Sequence, residues 1–554
     1  MKNKVFWVGV TLVLLIGAFL RLAWLDKSPP SLGFDEAALG YNAYSLMKTG
    51  KDEYGNFLPV SLRSFNDFKP ALYAYLTIPF IKIFGLTDAP IRMVSAIAGV
   101  ISLIFTLLLL NKFFRNKYFV LVMFFVLSFE PWRLHFSRNA FETHLSSTFF
   151  LIGSYCLLSL KDKKRWWFSL IFLSLSAYTY HSARLAVPLL IIFWALDPIK
   201  FLDGKNLFVN IQQSLLKNWK KLALLLVFIL SCLPIFMAKS GSLVLTRFQQ
   251  ENVFNRYYPY APKELLNPIS SVYYFGGIFL GHIFSHISPI NLNFRIYEWV
   301  KMSPQFIPGM GMLGWLEGIL FIFGLWMVIR NINSNYKYRY LIYWIVAGIA
   351  PASVTWTWFH PLRSLNIYPA MEIIVALGAW QLVEIVNKEL KSRLSKVVLG
   401  VVVGIVLVTT IVFTINNELL YSAYENHGEY QPGGYKEGMM YLKSIQGDYD
   451  QIIIDTPHAQ SFIFLFFYQA IDPNYIHQFA SIRPKPGTGG NLTFNFGKFV
   501  FRKIDWPRDR DLKKTVFWGP STITKEEVER VKGAKLRMIV PNALYDTAVI
   551  ITTE

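Results

Sequence analysis

Basic residues alternate along this chain. Eleven apolar segments recur, near 5–25, 89–111, 118–134, 141–160, 166–180, 183–197, 221–238, 311–329, 340–357, 364–386 and 397–416. Twenty-one Lys and Arg side chains fall on every second connection between them, whereas the other short connections carry only Arg133, Arg138, Arg184 and Arg363. A spanning helix needs roughly 20 mostly apolar residues. Basic loops stay on the cytoplasmic side, so the pattern predicts a polytopic α-helical membrane protein of about eleven transmembrane helices. The N-terminus is then cytoplasmic and the C-terminus outside. Reading 71–87 as a further span inverts every later loop and destroys the asymmetry. That stretch also contains Pro79 and Lys82, so it reads as an interfacial helix.

Composition supports this class and excludes others. Of 554 residues, 53% are hydrophobic, which is not the make-up of a soluble enzyme. The formal charge of +20 does not imply a nucleic-acid partner, because much of it lies on cytoplasmic loops beside anionic membrane lipid. The start MKNK is followed by Arg21 and Trp24 without a small-residue cleavage pattern, so the first segment reads as a span rather than a signal peptide. Cys156 and Cys232 both fall in apolar segments, where neither a disulfide nor a thiolate metal site is expected.

Two domains follow. Residues 1–416 form a membrane domain with long outer loops at 26–88 and 239–310. Within the first loop, Asp35 to Thr49 reads as a short helix stopped by Gly50. Residues 417–554 form an extracytoplasmic α/β domain of accessory character. Strands are expected at 451–455, 498–504, 515–519 and in KLRMIV and TAVIITT, and helices at 459–471 and 525–533. The helix 459–471 is apolar nearly all round and should lie buried against the sheet.

The candidate chemistry sits at the outer ends of the spans, where ionisable groups are costly and usually functional. Asp35 and Glu36 follow the first span. An ionised carboxylate there is a general base, worth about 10²–10⁴ in rate, or else a helix cap. Lys69 is a cation for a lipid phosphate or a snorkelling side chain. Arg138 and Glu142 are spaced i, i+4 and also suit a simple ion pair. His181 with Arg184, and His360 with Arg363, repeat His-x-x-Arg at two outer turns. Arg presents bidentate donors suited to phosphate, but also anchors helices at the interface. His282 and His286 have a zinc-compatible i, i+4 spacing without a flanking carboxylate. These residues identify no cofactor, and a divalent metal stays open.

Particular residues carry a family resemblance. A first span ending in Arg21-Leu22, a loop with Phe34-Asp35-Glu36-Ala37 and later FKPALYAYL (68–76), and R-x-x-S-A-x-x-G from Arg92 to Gly99 resemble the GT-C membrane glycosyltransferases. The match is strongest to the protein O-mannosyltransferase and aminoarabinose transferase group, which uses polyprenyl-phosphate sugars. HISPINLNF and the segment from Gly309 to Gly324 fit bacterial members more loosely.

The resemblance implies inverting transfer of a sugar from a polyprenyl-phosphate donor to a hydroxyl of a lipid, glycan or protein on the outer face of the plasma membrane. It implies that Asp35 activates the acceptor with Glu36 in support, that Glu142 is the second acidic position, and that Lys69 and Arg363 face the donor phosphate. Arg184 is taken as a further phosphate ligand, with Arg138, His181 and His360 as secondary candidates. The aminoarabinose transferases carry Glu directly before the Lys. Phe68 stands there in this chain, with Asp67 one residue earlier, which leaves their metal site and sugar preference open. The other class compatible with the sequence is a transporter or flippase of lipid-linked sugars. Its usual inverted repeats and midplane charges are not seen.

Overall fold

The computed structural model describes residues 2–65, 67–159, 165–201, 216, 218–237, 252–257, 268–293, 310–421, 434–455, 462–479, 494–520, 523–540 and 548–554. The chain divides into two compact units. One comprises 1–23, 95–299 and 305–416, and the other 24–94, 300–304 and 417–554. Residues 24–94 of the expected membrane domain thus group with the C-terminal segment.

The first unit is helical, and each of the eleven expected segments holds a helix. Among the described residues, five helices are long and apolar enough to cross a membrane: Lys4–Leu22, Asp88–Phe113, Trp219–Met237, Pro361–Glu389 and Arg393–Leu420. Lys117–Ser128 and Pro131–Arg138, bent by 50° across the break at Phe129 and Glu130, supply a sixth if they count as one span. The other five expected segments are helices of 14 to 18 residues, shorter or more polar than this measure requires. Eleven spans therefore remains an expectation from the charge pattern.

Small and hydroxyl residues explain why some helices are so polar. Glu142–Ser159 buries Thr143, Ser146, Ser147, Thr148 and Ser154. Ser146 Oγ lies 2.9 Å from Ser176 Oγ on the helix Arg165–Thr179, and Ser169 donates to the Gly153 carbonyl at 2.8 Å. Within a bilayer, such contacts replace the hydrophobic drive that water would supply. Glu317–Arg330 and Tyr368–Glu389 pack backbone to backbone, because a Cβ on Gly324 or Gly378 would meet the carbonyl oxygen of Ile374 or Leu320. Arg133 is buried with Glu372 in an ion pair, and its guanidinium also reaches the hydroxyls of Ser102 and Thr106. Further bonds of this kind are what makes a buried pair tolerable.

One helix departs from expectation. Pro268–Ile287, 20 residues long, lies in the segment 239–310, where an outer loop is expected. His282 and His286 dilute its apolar character, yet both are buried, while Val272, Tyr273 and Phe284 face outward.

The second unit holds a six-stranded mixed sheet. Its strands are β3 (Gln451–Ile454), β4 (Phe494–Phe496), β5 (Phe499–Phe501), β6 (Thr515–Pro520), β7 (Ala534–Val540) and β8 (Ala548–Thr553), in spatial order β4-β5-β3-β6-β8-β7. The central strand β3 runs parallel to β5 and β6, and the remaining pairs are antiparallel. All seven residues of the helix Phe462–Tyr468 are buried, as its composition predicts; residues 459–461 of the expected helix lie outside the described residues.

The 24–94 segment contributes the helix Phe34–Thr49, a ribbon of β1 (Ser61–Ser64) and β2 (Asp67–Pro70), and the helix Leu72–Phe84. Gly50 ends the first helix in the left-handed region at φ 70°, donating its N–H to Leu46 O, so a glycine is needed there. Tyr41 donates to the Ile471 carbonyl at 2.9 Å, and Lys436 pairs with the buried Asp88 at 2.7 Å.

Candidate active site

Asp35 is the second residue of the helix Phe34–Thr49, where the free N–H groups of the first turn favour an anion. Its side chain is 67% exposed and forms an ion pair with Lys69, whose own side chain is 12% exposed. The ribbon brings them together: pairing Leu62 with Lys69 and Ser64 with Asp67 folds FKP back toward the helix. The Lys69 ammonium also lies 5.7 Å from the ring centroid of Phe65 in the ribbon turn. The two residues expected to serve as base and phosphate holder therefore touch.

Glu36 has a different setting. It is buried, and one oxygen accepts the N–H of Gly33 at 2.9 Å, reaching back to the helix start as the Glu of a capping box does, although Gly33 has no side chain to return the bond. Arg92 donates to both of its oxygens at 3.1 Å. The same guanidinium donates to the carbonyls of Leu25 (2.9 Å), Pro29 (2.6 Å) and Ser31 (2.7 Å). One fully buried arginine thus ties the 25–31 loop and the first helical turn into one piece beneath Asp35. Arg92 was legible only as a motif letter; five acceptors around it give that letter a structural role.

The remaining candidates belong to the first unit. Arg138 is buried and donates to the carbonyls of Leu20 (2.5 Å) and Ala23 (2.9 Å), closing the end of the first span. Glu142 opens its helix and is buried. His181 and Arg184 meet, Nδ1 to Nη1, at 2.8 Å, and Arg184 Nη2 is buried without a hydrogen-bond partner among the described residues. His360 caps the turn Pro361–Ser364, and Arg363 reaches the Thr357 hydroxyl at 3.3 Å.

The histidine pair is explained by its tautomers. His286 Nδ1 lies 2.7 Å from the His282 carbonyl, and its Nε2 accepts the His360 N–H at 3.0 Å. His282 Nδ1 lies 3.2 Å from the Ser353 carbonyl. Carbonyls only accept, so both Nδ1 atoms carry hydrogen and His286 has no lone pair left for a metal. Among the described residues, no group of three or more His, Cys, Asp or Glu is placed to hold one.

No protein-family model matches the chain, and no curated protein is significantly similar to it. Solved structures do resemble it. ArnT from Cupriavidus metallidurans in the apo state aligns with TM-score 0.51 over 98% of this chain and 97% of its own, at 12% identity. The same protein bound to undecaprenyl phosphate aligns with TM-score 0.51 and equal coverage, at 13% identity. The oligosaccharyltransferase AglB from Archaeoglobus fulgidus aligns with TM-score 0.46 over 84% of this chain and 64% of its own, at 10% identity. The match to ArnT spans nearly the full length of both chains, and this multi-pass membrane protein has the GT-C fold.

Proposed function

We propose that this chain is an integral membrane glycosyltransferase. It moves a sugar from a polyprenyl-phosphate donor to a hydroxyl of a lipid, glycan or protein on the outer face of the plasma membrane, with the N-terminus cytoplasmic and residues 417–554 outside. The observation that carries the reading is the Asp35–Lys69 ion pair, which unites a carboxylate and a cation on a half-open surface. The pair is open to solvent at its Asp35 end, where a donor phosphate offering charge-assisted bonds competes for the Lys69 ammonium. Lys69 then holds the phosphate, and Asp35 is released to act on the acceptor.

The acceptor oxygen attacks the anomeric carbon as its proton passes to Asp35 and then to water. The bond from the anomeric carbon to the phosphate oxygen breaks, and its electron pair leaves on polyprenyl phosphate. A single displacement inverts the anomeric centre. Phosphate is already a good leaving group, so the step needs a base and fixed cations rather than an acid. Arg184 and Arg363 are proposed as further phosphate ligands and Glu142 as a second carboxylate. The undecaprenyl phosphate bound by ArnT supports the donor class.

The test is transfer of radiolabel from polyprenyl-phosphate sugars to extracted membrane lipid and protein by the purified chain. Label appearing in either fraction supports the reading and names the acceptor class. Donor that crosses a vesicle membrane without transfer replaces it with a flippase.

A further inference from the structure

Residues 417–554 read as accessory, but the helix Phe462–Tyr468 touches the immediate neighbours of both members of the Asp35–Lys69 pair. Phe464 packs on Phe34, the residue preceding Asp35, with ring centroids 4.9 Å apart. The Tyr435 ring contacts Phe464 at 4.6 Å and Trp518 of β6 at 5.5 Å. A column of four rings therefore runs from the sheet to the turn that presents Asp35.

A second column starts two strands away, across β3. Phe501 of β5 meets Phe462 edge-on at 6.4 Å, and Phe462 meets Phe65 edge-on at 6.0 Å. Phe65 is the ring over which the Lys69 ammonium lies. The body of the Asp35 helix is fixed as well, because a Cβ on Gly40 would meet the rim of Phe467.

We infer that the helix Phe462–Tyr468 is a positioning element of the proposed site, with Phe464 setting Asp35 and Phe462 setting Lys69. Aromatic pairs have defined geometry and attract one another beyond what their buried area supplies, which holds a turn in register. Misplacing a reacting group by about 1 Å costs on the order of a hundredfold in rate. A helix that merely fills the domain core would affect stability alone. Two separate columns predict two separable defects.

The kinetic half of this inference rests on the proposed transferase reading. It is tested with Phe464→Ala and Phe462→Ala in the full chain, measuring turnover on the sugar donor that wild type uses and equilibrium binding of undecaprenyl phosphate. Phe464→Ala is expected to lower kcat by about tenfold to a hundredfold with the Kd for undecaprenyl phosphate within about twofold. Phe462→Ala is expected to weaken that Kd by about tenfold, since the phosphate ligand is what it displaces. Phe517→Leu, in the far core of the same sheet, controls for loss of stability. It should lower the melting temperature and leave kcat and Kd per folded molecule unchanged.

A second readout does not depend on activity. Asp35→Cys and Lys69→Cys, in a Cys156→Ser/Cys232→Ser background, are joined by a short bifunctional thiol reagent. Adding Phe462→Ala or Phe464→Ala should slow cross-linking several-fold. Cross-linking as fast as in the parent overturns the positioning role whether or not the chain transfers sugar. Slowed cross-linking in a chain without transferase activity overturns the proposed function and keeps the positioning role. Should either alanine variant fail to fold, Phe464→Leu and Phe462→Leu carry the same comparison with smaller shifts.

Discussion

Lys69 donates to Asp35, so the cation expected to face a donor phosphate is held, in the resting chain, by the carboxylate expected to act on the acceptor. Each is the other's nearest competitor, and a phosphate that takes Lys69 leaves Asp35 available.

Lys69→Met should weaken undecaprenyl phosphate binding by about 10- to 100-fold, the worth of a hydrogen bond to a charged group. Lys69→Arg should keep most of the affinity. Equilibrium binding of the lipid to purified protein checks both.

Arg92→Met leaves the buried carboxylate of Glu36 without its ion-pair partner and frees three loop carbonyls. Removing one member of a buried pair typically costs about 3–5 kcal/mol. The variant should unfold at clearly lower temperature in detergent, and Arg92→Met/Glu36→Met should recover part of the loss. Equal stability of the single variant and wild type would contradict the geometry.

Gly378→Val should disrupt the helix pair Glu317–Arg330 and Tyr368–Glu389, because its Cβ meets a backbone carbonyl that cannot rotate away. Overpacking of this kind costs about 1–3 kcal/mol or more. A control valine at Gly400, whose Cβ meets nothing within 4 Å, should be neutral in the same melting experiment.

Asp455 supplies the pH prediction. Burial pushes its carboxyl above the usual value, although it accepts the Ile504 N–H at 2.9 Å and has Lys503 and Arg502 nearby. A raised folded-state pKa means the folded form binds the proton more tightly. This group's contribution is therefore most favourable below its unfolded pKa and is lost as pH rises through the folded one. Asp455→Asn keeps an acceptor for Ile504 without the charge. It should raise the protein's melting temperature at pH 7 and leave it nearly unchanged near pH 3, as followed by differential scanning calorimetry.

Much of this architecture is legible in local pattern. The helix ending at Gly50, the apolar segments and the central strands follow from periodicity and turn residues alone. Asp35 and Lys69 stand out for the same reason, as charges beside apolar runs. Their contact does not, because it depends on β1 and β2, two four-residue strands whose SLRS and DFKP lack strand character. The helix Pro268–Ile287 is hidden by two histidines whose burial is tolerable only because carbonyls receive their Nδ1 hydrogens. The grouping of 24–94 with 417–554 rests on contacts such as Tyr41 to Ile471, 430 residues apart, which no local pattern encodes.

The most direct test of the account is Asp35→Asn, with turnover and undecaprenyl phosphate affinity measured on one preparation. The account predicts turnover reduced by about 10²–10⁴, the worth of a general base, with affinity equal to or tighter than wild type because Lys69 is no longer held. Turnover at the wild-type level would contradict it and leave Asp35 as a helix cap.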